Sequence, residues 1–149
     1  MDIGSGKGYP SSSLSNFAPH PFIMDGVQCA SMEGFLQSLK FESIEMQEYV
    51  CTLVGKAAKF KGKKKKWWQK QELYWRGKVY KRDSPEYQRL LNRAYNSLYE
   101  NRSFRTALES TGKAILEHSI GKNKIQETVL TRSEFCSRLM YLRDNGKLP

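Results

Sequence analysis

Apolar positions in residues 1–30 show no helical period. Gly4, Gly6, Gly8, Pro10, Pro19 and Pro21 interrupt every run, so this stretch reads as irregular or strand-like. Phe22-Ile23-Met24 and Val27-Gln28-Cys29 flank Asp25-Gly26, a type I′ turn signal, which predicts a short β-hairpin. After Ser31 the period changes. Met32, Phe35, Leu36 and Leu39 fall at i, i+3, i+4 and i+7, the apolar stripe of a helix that Ser31 can cap. Glu33, Gln37 and Lys40 form a second stripe on that helix, confined to about 60° of arc at 3.6 residues per turn.

Further along, a helix is expected from Ile44 to about Phe60, capped by Ser43, with Glu45 and Glu48 in its first turns. Leu73–Tyr80 is ambiguous. Ser84-Pro85 is a strong helix start, with Ser as N-cap and Pro at the first helical position. Tyr87, Leu90, Leu91, Ala94, Tyr95, Leu98 and Tyr99 then hold helical spacing. Ser103 is expected to open a short helix ending before Gly112, and Ala114-Ile115-Leu116 to form a short strand. Thr131 and Glu134 make a capping box for a last helix that turns Phe135, Leu139 and Leu142 inward and ends near Asn145-Gly146. The pattern is helix-rich, with short strands.

Length and composition then narrow the class. The 149 residues are sufficient for one domain with one sizeable core, spanning 1–149. No apolar run approaches the ~18–20 residues a membrane span requires. The glycine- and serine-rich start is unlike a secretory signal. Cys29, Cys51 and Cys136 are odd in number and widely spaced, and His20 and His118 are the two histidines, so neither a disulfide framework nor zinc spacing is present. No metal or cofactor is called for, and a reducing, cytoplasmic setting is expected.

Charge changes the picture most. The net charge is +10, and residues 56–82 hold twelve Lys and Arg against one acid, Glu72. The remainder of the chain is nearly neutral. Phe60, Trp67, Trp68, Tyr74, Trp75 and Tyr80 are interleaved with these bases. Such a segment suits a polyanion with stackable bases, nucleic acid above all, with Lys59–Trp68 as its densest part; it also suits a solvated face.

Four groups could carry chemistry. Gly4-Ser5-Gly6-Lys7-Gly8 could approach a phosphate, or be a loose terminus. The Glu33/Gln37/Lys40 stripe could be a tuned carboxylate, or a surface stripe of helix-stabilising pairs. Glu117-His118-Ser119, followed by Gly121-Lys122-Asn123, resembles a polar site after a buried strand, or a capped turn. Arg82-Asp83-Ser84 could hold an anion at a helix start, or simply cap it. The cysteines sit in apolar contexts and read as structural.

These residues together resemble the YbiA-like, or NADAR, family. The resemblance rests on Leu14-Ser15-Asn16-Phe17, Pro21-Phe22, Asp25-Gly26, Ser31-Met32-Glu33, Gln37 and Lys40-Phe41. Thr111, Gly112 and Leu116-Glu117-His118-Ser119 resemble the family's second block. The resemblance implies an α+β, predominantly helical domain that cleaves N-glycosidic bonds. Family substrates include phosphoribosyl intermediates of riboflavin synthesis and ADP-ribose on guanine bases of nucleic acid. By position, Glu33 is the implied catalytic carboxylate, Asn16 and Phe17 line the cleft, and Gln37 and Lys40 support it. Arg82, Lys40 and Lys7 are candidates to hold phosphate, and Asp83, Glu117, His118 and Gly121 are further candidates to bind substrate. The chain departs from the family pattern at three places. Gly34 stands where a His usually follows the glutamate, Asp83-Ser84-Pro85 where a Trp is frequent, and Gly121-Lys122-Asn123 where an acid and a Trp-Gly pair are common. A non-catalytic ADP-ribose or nucleic-acid binding module using 56–82 is the alternative function, and a structural or interaction protein the remaining one.

Overall fold

A computed structural model describes residues 1–149. Helices dominate. In chain order they are α1 (Ser11–Leu14), α2 (Met32–Ser38), α3 (Ile44–Cys51), α4 (Gly55–Lys63), α5 (Pro85–Tyr99), α6 (Arg102–Glu109) and α7 (Arg132–Asn145), with a 3₁₀ turn at Trp67–Gln69. Two separate antiparallel hairpins complete the α+β domain: β1 (Phe22–Met24) with β2 (Val27–Cys29), and β3 (Glu72–Trp75) with β4 (Lys78–Lys81).

The local signals explain most of these elements. Asp25 and Gly26 both take positive φ, as the first hairpin's turn requires. Ser31 Oγ accepts from the Gly34 N–H and Ser84 Oγ from the Tyr87 N–H, so both serines are N-caps. Thr131 and Glu134 complete their capping box, and Gly146 closes α7 in the left-handed conformation. Met32, Phe35, Leu36 and Leu39 are all buried, as their spacing requires, in one continuous core with α5, α6, α7 and the hairpins.

Four expectations are corrected and one undecided stretch is settled. The helix expected over 44–60 is two helices. Val54 is extended and Gly55 takes φ +52°, so the chain turns between α3 and α4 and both pack on α2. The undecided stretch 73–80 is the second hairpin, turning at Arg76-Gly77, where both residues have positive φ. Asn101, not Ser103, caps α6, by accepting from the Phe104 N–H. Residues 114–116 form no strand; a single parallel bridge pairs Asp2 with Glu117. The N-terminus is neither loose nor free of helix. Ile3 is buried, α1 follows Pro10, and Asp2 accepts from the N–H and the Oγ–H of Ser119 at 2.9 and 2.6 Å. Those bonds lower the Asp2 pKa to about 2.

The basic segment also proves composite. Trp67, Trp75 and Tyr80 belong to the core, leaving Phe60 and Trp68 as its exposed large aromatics. Arg82 is its one buried base. The remaining lysines and Arg76 stand at the surface. No helix is long and apolar enough to cross a membrane.

Candidate active site

Helix α2 is the floor of a cleft of about 500 Å³. Its apolar stripe faces the core, so the Glu33/Gln37/Lys40 stripe turns to the opposite side and lines the cleft. Residues Ser15–Phe17 form one wall. They are fixed to the floor where the Glu33 N–H donates to the Asn16 carbonyl at 3.0 Å, and to α5 where Tyr95 Oη donates to Asn16 Oδ1 at 2.8 Å. Lys59 and Lys63 on α4, with Lys65, Trp67 and Trp68 beyond it, form the basic wall. The segment His118–Lys122 and residues Glu127–Leu130 close the far side.

The carboxylate of Glu33 is held in a defined environment. Gln37 Nε2 donates to its Oε2 at 2.7 Å. Burial pushes its pKa above the ordinary carboxylate range, opposed by the Gln37 hydrogen bond and by Lys40, Lys59 and His118. Burial conversely lowers the Lys40 ammonium, with Glu33 favouring its charge and Lys122 and Lys59 opposing it. An acid and an ammonium whose pKa values are drawn toward each other in a hollow are typical of reacting sites.

The imidazole of His118 is oriented from behind. Its Nδ1 donates to the Ile3 carbonyl at 2.8 Å, which in the neutral ring leaves Nε2 bare as an acceptor. The ring edge stacks against Phe135. Gly121 permits the close approach of the turn beneath it: a Cβ there would lie 2.5 Å from His118 Cδ2. The N-terminal segment, bridged to Glu117 and bonded to His118, is therefore part of the site's support.

Thus Asn16, Phe17, Glu33, Gln37, Lys40, His118 and Gly121 come together around one hollow. Four other candidates do not reach it. Arg82 is 1% exposed, with both terminal guanidinium nitrogens on the Glu134 carboxylate at 3.1 and 2.6 Å and Nε on the Thr128 carbonyl at 2.8 Å. It has no donor left in position for a phosphate; it anchors the wall loop instead. Asp83 is exposed at the start of α5, where Ser84 does the capping. Glu117 is exposed and engaged through its backbone with Met1 and Ile3. Lys7 folds back onto Asp2 at 3.4 Å, while Ser5 of the same glycine-rich segment lines the cleft.

Sequence reasoning missed Lys59, Lys63, Lys65 and Lys122 as residues that line one cleft with Glu33. Their basic character was plain, but only the break at Gly55 turns α4 back over α2. Loop 127–130 carried no signal. Its place is set by Gln71 Nε2 on the Gln126 carbonyl, Arg82 on Thr128 and Tyr87 Oη on the Val129 carbonyl at 2.6 Å.

Gly34 has a steric explanation. A Cβ at this position would lie 2.6 Å from the Leu53 carbonyl oxygen and 3.0 Å from that of Val50. The α3–α4 turn occupies the space a histidine would need. Ser31 Oγ, donating to the same Leu53 carbonyl at 3.0 Å, ties the turn there.

A larger hollow of about 800 Å³ lies beside the first hairpin, lined by residues such as Ile23, Gln28, Thr52 and Asn101. Glu100 is its one ionisable carboxylate and no base faces it, so the chemistry favours the smaller cleft. No group of three or more His, Cys, Asp or Glu side chains converges in a way that could hold a metal.

Comparison with known proteins agrees with this architecture. Residues 8–144 match the family described as bacteriophage protein GP30.3. A 17.1 kDa protein from the Gp30–rIII intergenic region of Enterobacteria phage T4 is 38% identical over 148 residues, with 97% of both chains covered. The NMR structure of the E. coli protein YbiA matches with a TM-score of 0.64 at 17% identity, covering 97% of this chain and 82% of that one. The chain is therefore a member of the bacteriophage GP30.3 family with a YbiA-like fold.

Proposed function

We propose that the cleft hydrolyses a ribose–nitrogen bond in an ADP-ribosyl or phosphoribosyl substrate, with ADP-ribose on a guanine base of nucleic acid as the favoured case. One observation carries the reading: a partly desolvated carboxylate, Glu33, lines a hollow whose other carboxylate, Glu127, is exposed and whose lining carries five lysines. Cleaving the bond between the anomeric carbon and the base nitrogen leaves the electron pair on the base and cationic character on the ribose. A fixed carboxylate beside that carbon stabilises the cation as it forms. Water then supplies hydroxyl to the anomeric carbon and a proton to the base nitrogen, giving ADP-ribose and the unmodified guanine in its strand, or ribose phosphate and free base from a phosphoribosyl substrate. In this reading Glu33 or the bare Nε2 of His118 takes that proton from the water and passes it to the base. Lys40, Lys59, Lys63, Lys65 and Lys122 supply positive charge for the substrate's phosphates. The test offers the protein ADP-ribosylated guanine oligonucleotides and phosphoribosyl pyrimidines and follows release of the sugar phosphate. Release from neither class would contradict the reading.

A second reading is a binding module without turnover, favoured by the exposed basic face outside the cleft. Lys64, Lys66 and Lys70 are exposed there and do not line the hollow, while Trp68 is 52% exposed at its rim, where a base can stack. Both readings predict oligonucleotide binding that weakens steeply with salt. Replacing Lys64, Lys66 and Lys70 with alanine is expected to lower the slope of log affinity against log salt by about two. Hydrolysis of a phosphoribosyl pyrimidine should be unchanged in that variant. An unchanged slope would remove this face from the interface; binding without release from any substrate would select the module.

A further inference from the structure

The Glu33–Gln37 hydrogen bond raises a question of orientation, because a carboxamide can present either its N–H or its oxygen. Gln37 is buried, and its Nε2 donates to Glu33 Oε2 at 2.7 Å. Its Oε1 is fully enclosed yet has no hydrogen-bond partner. Burying an amide oxygen in that way is unfavourable, so something must compensate or compel it.

The neighbour is Gly62 in α4. A Cβ built on Gly62 would collide with Gln37 Oε1 and would lie 2.8 Å from its Cδ and 3.1 Å from its Cβ. The three nearest atoms to that position all belong to Gln37. The amide oxygen therefore rests against the bare α-carbon, a contact of the weak Cα–H···O kind. Glycine is a poor helix former, yet it stands inside α4 at the point of closest approach to the amide. Reversing the amide would set its oxygen against the Glu33 carboxylate and its N–H₂ against carbon. While Glu33 is ionised, only one orientation is tolerated.

We infer that Gly62 is a positioning residue: its missing side chain makes the slot that clamps the Gln37 amide with its N–H turned to Glu33. The inference rests on the reading of Glu33 as the working carboxylate, but its test reads that carboxylate directly and needs no substrate. The groups facing Glu33 are Gln37 from its own helix, Lys40 from the turn that follows it, Lys59 from α4, His118 from the loop after Leu116 and Tyr95 from α5. Gly62 itself bears no charge, so its replacement by alanine can alter the Glu33 equilibrium only through geometry.

The experiment follows the Glu33 side-chain carboxyl carbon by ¹³C NMR through a pH titration, in the wild type, G62A, Q37A and the double variant, with E33Q assigning the signal. Losing the donor to the ionised form should raise the midpoint by about one pH unit in G62A and in Q37A alike. The double variant should match Q37A in midpoint, because with the amide removed the new methyl meets only the residue 37 Cβ, at 3.1 Å, a contact that a shift of a few tenths of an ångström relieves. A folded G62A with an unmoved midpoint, or a G62A shift that recurs in full on the Q37A background, would overturn the assignment. Should G62A alone fail to fold, comparison of the double variant with Q37A decides. An equal midpoint with a melting temperature no lower than that of Q37A supports the clamp; a lower melting temperature shows that Gly62 serves other contacts. If instead E33Q keeps full activity on the substrates above, the catalytic reading fails and the clamp result stands or falls separately.

Discussion

Replacing Glu33 with glutamine is expected to abolish turnover and to leave a protein at least as stable as the wild type at neutral pH. Glutamine keeps the shape of the side chain but cannot balance a developing ribose cation. The loss in kcat should reach about a thousandfold. Stability moves the other way because burial raises the Glu33 pKa above that of an exposed carboxylate. A group raised in this sense contributes stability that is fully present below its unfolded pKa and lost as pH rises through its folded value. At neutral pH the ionised carboxylate therefore costs the fold something that glutamine does not. Melting curves of the two proteins at pH 4 and pH 8 check this: the advantage of E33Q should grow with pH. The kcat/KM of the wild type should rise with pH through the same raised midpoint. An E33Q protein that turns over normally, or that melts well below the wild type at pH 8, would contradict the account of this residue.

The second large effect concerns the fold. Arg82→Met should destabilise the protein by about 3–5 kcal/mol, because it strands a largely buried carboxylate. Glu134 is 13% exposed and takes both terminal guanidinium nitrogens, the Gln88 amide and the Thr131 N–H. Burial would raise its pKa, but Arg82, the Thr131 N–H and Gln88 outweigh it and hold the pKa below the ordinary range. The same arginine fixes the Thr128 carbonyl, so the cleft wall should loosen with the fold. Arg82→Lys should recover little, since one ammonium cannot serve Thr128 and both carboxylate oxygens in that planar geometry. The pair's contribution is present above the unfolded carboxylate pKa and is lost as pH falls through the depressed folded value. The gap in melting temperature between wild type and Arg82→Met, about 10 °C near neutral pH, should therefore narrow in acid. A gap below about 2 °C at neutral pH would show that the pair carries little of the stability.

Local chemistry was readable in the sequence wherever one residue type settles a conformation. Asp25-Gly26, the caps Ser31, Ser43 and Ser84, and the Thr131/Glu134 box are of this kind. The family resemblance extended that reading to the fold, because its residues sit at the turns and caps that position α2. What escaped was set by contacts distant in sequence. The break at Gly55 answers to the packing of the Leu53 carbonyl on Gly34, about twenty residues earlier in the chain. Residues 72–81 hide a hairpin because β3 and β4 turn through Arg76-Gly77, a weak turn signal, and carry core residues at Leu73, Trp75 and Tyr80. Arg82 looked like an anion ligand because nothing local reveals Glu134, more than fifty residues away. For the site, the stripe on α2 identified the floor of the hollow. Its walls depended on how α4 and loop 127–130 return to it, which no local pattern encodes.

The central claim is that Glu33 stands beside the bond that breaks. It is tested most directly by determining the structure of E33Q bound to an ADP-ribosylated guanine oligonucleotide. The account predicts the ribose anomeric carbon within about 3.5 Å of the residue 33 side chain, with the diphosphate among Lys40, Lys59 and Lys122. An oligonucleotide whose modified ribose lies outside the cleft, on the basic face or beside the first hairpin, would contradict it.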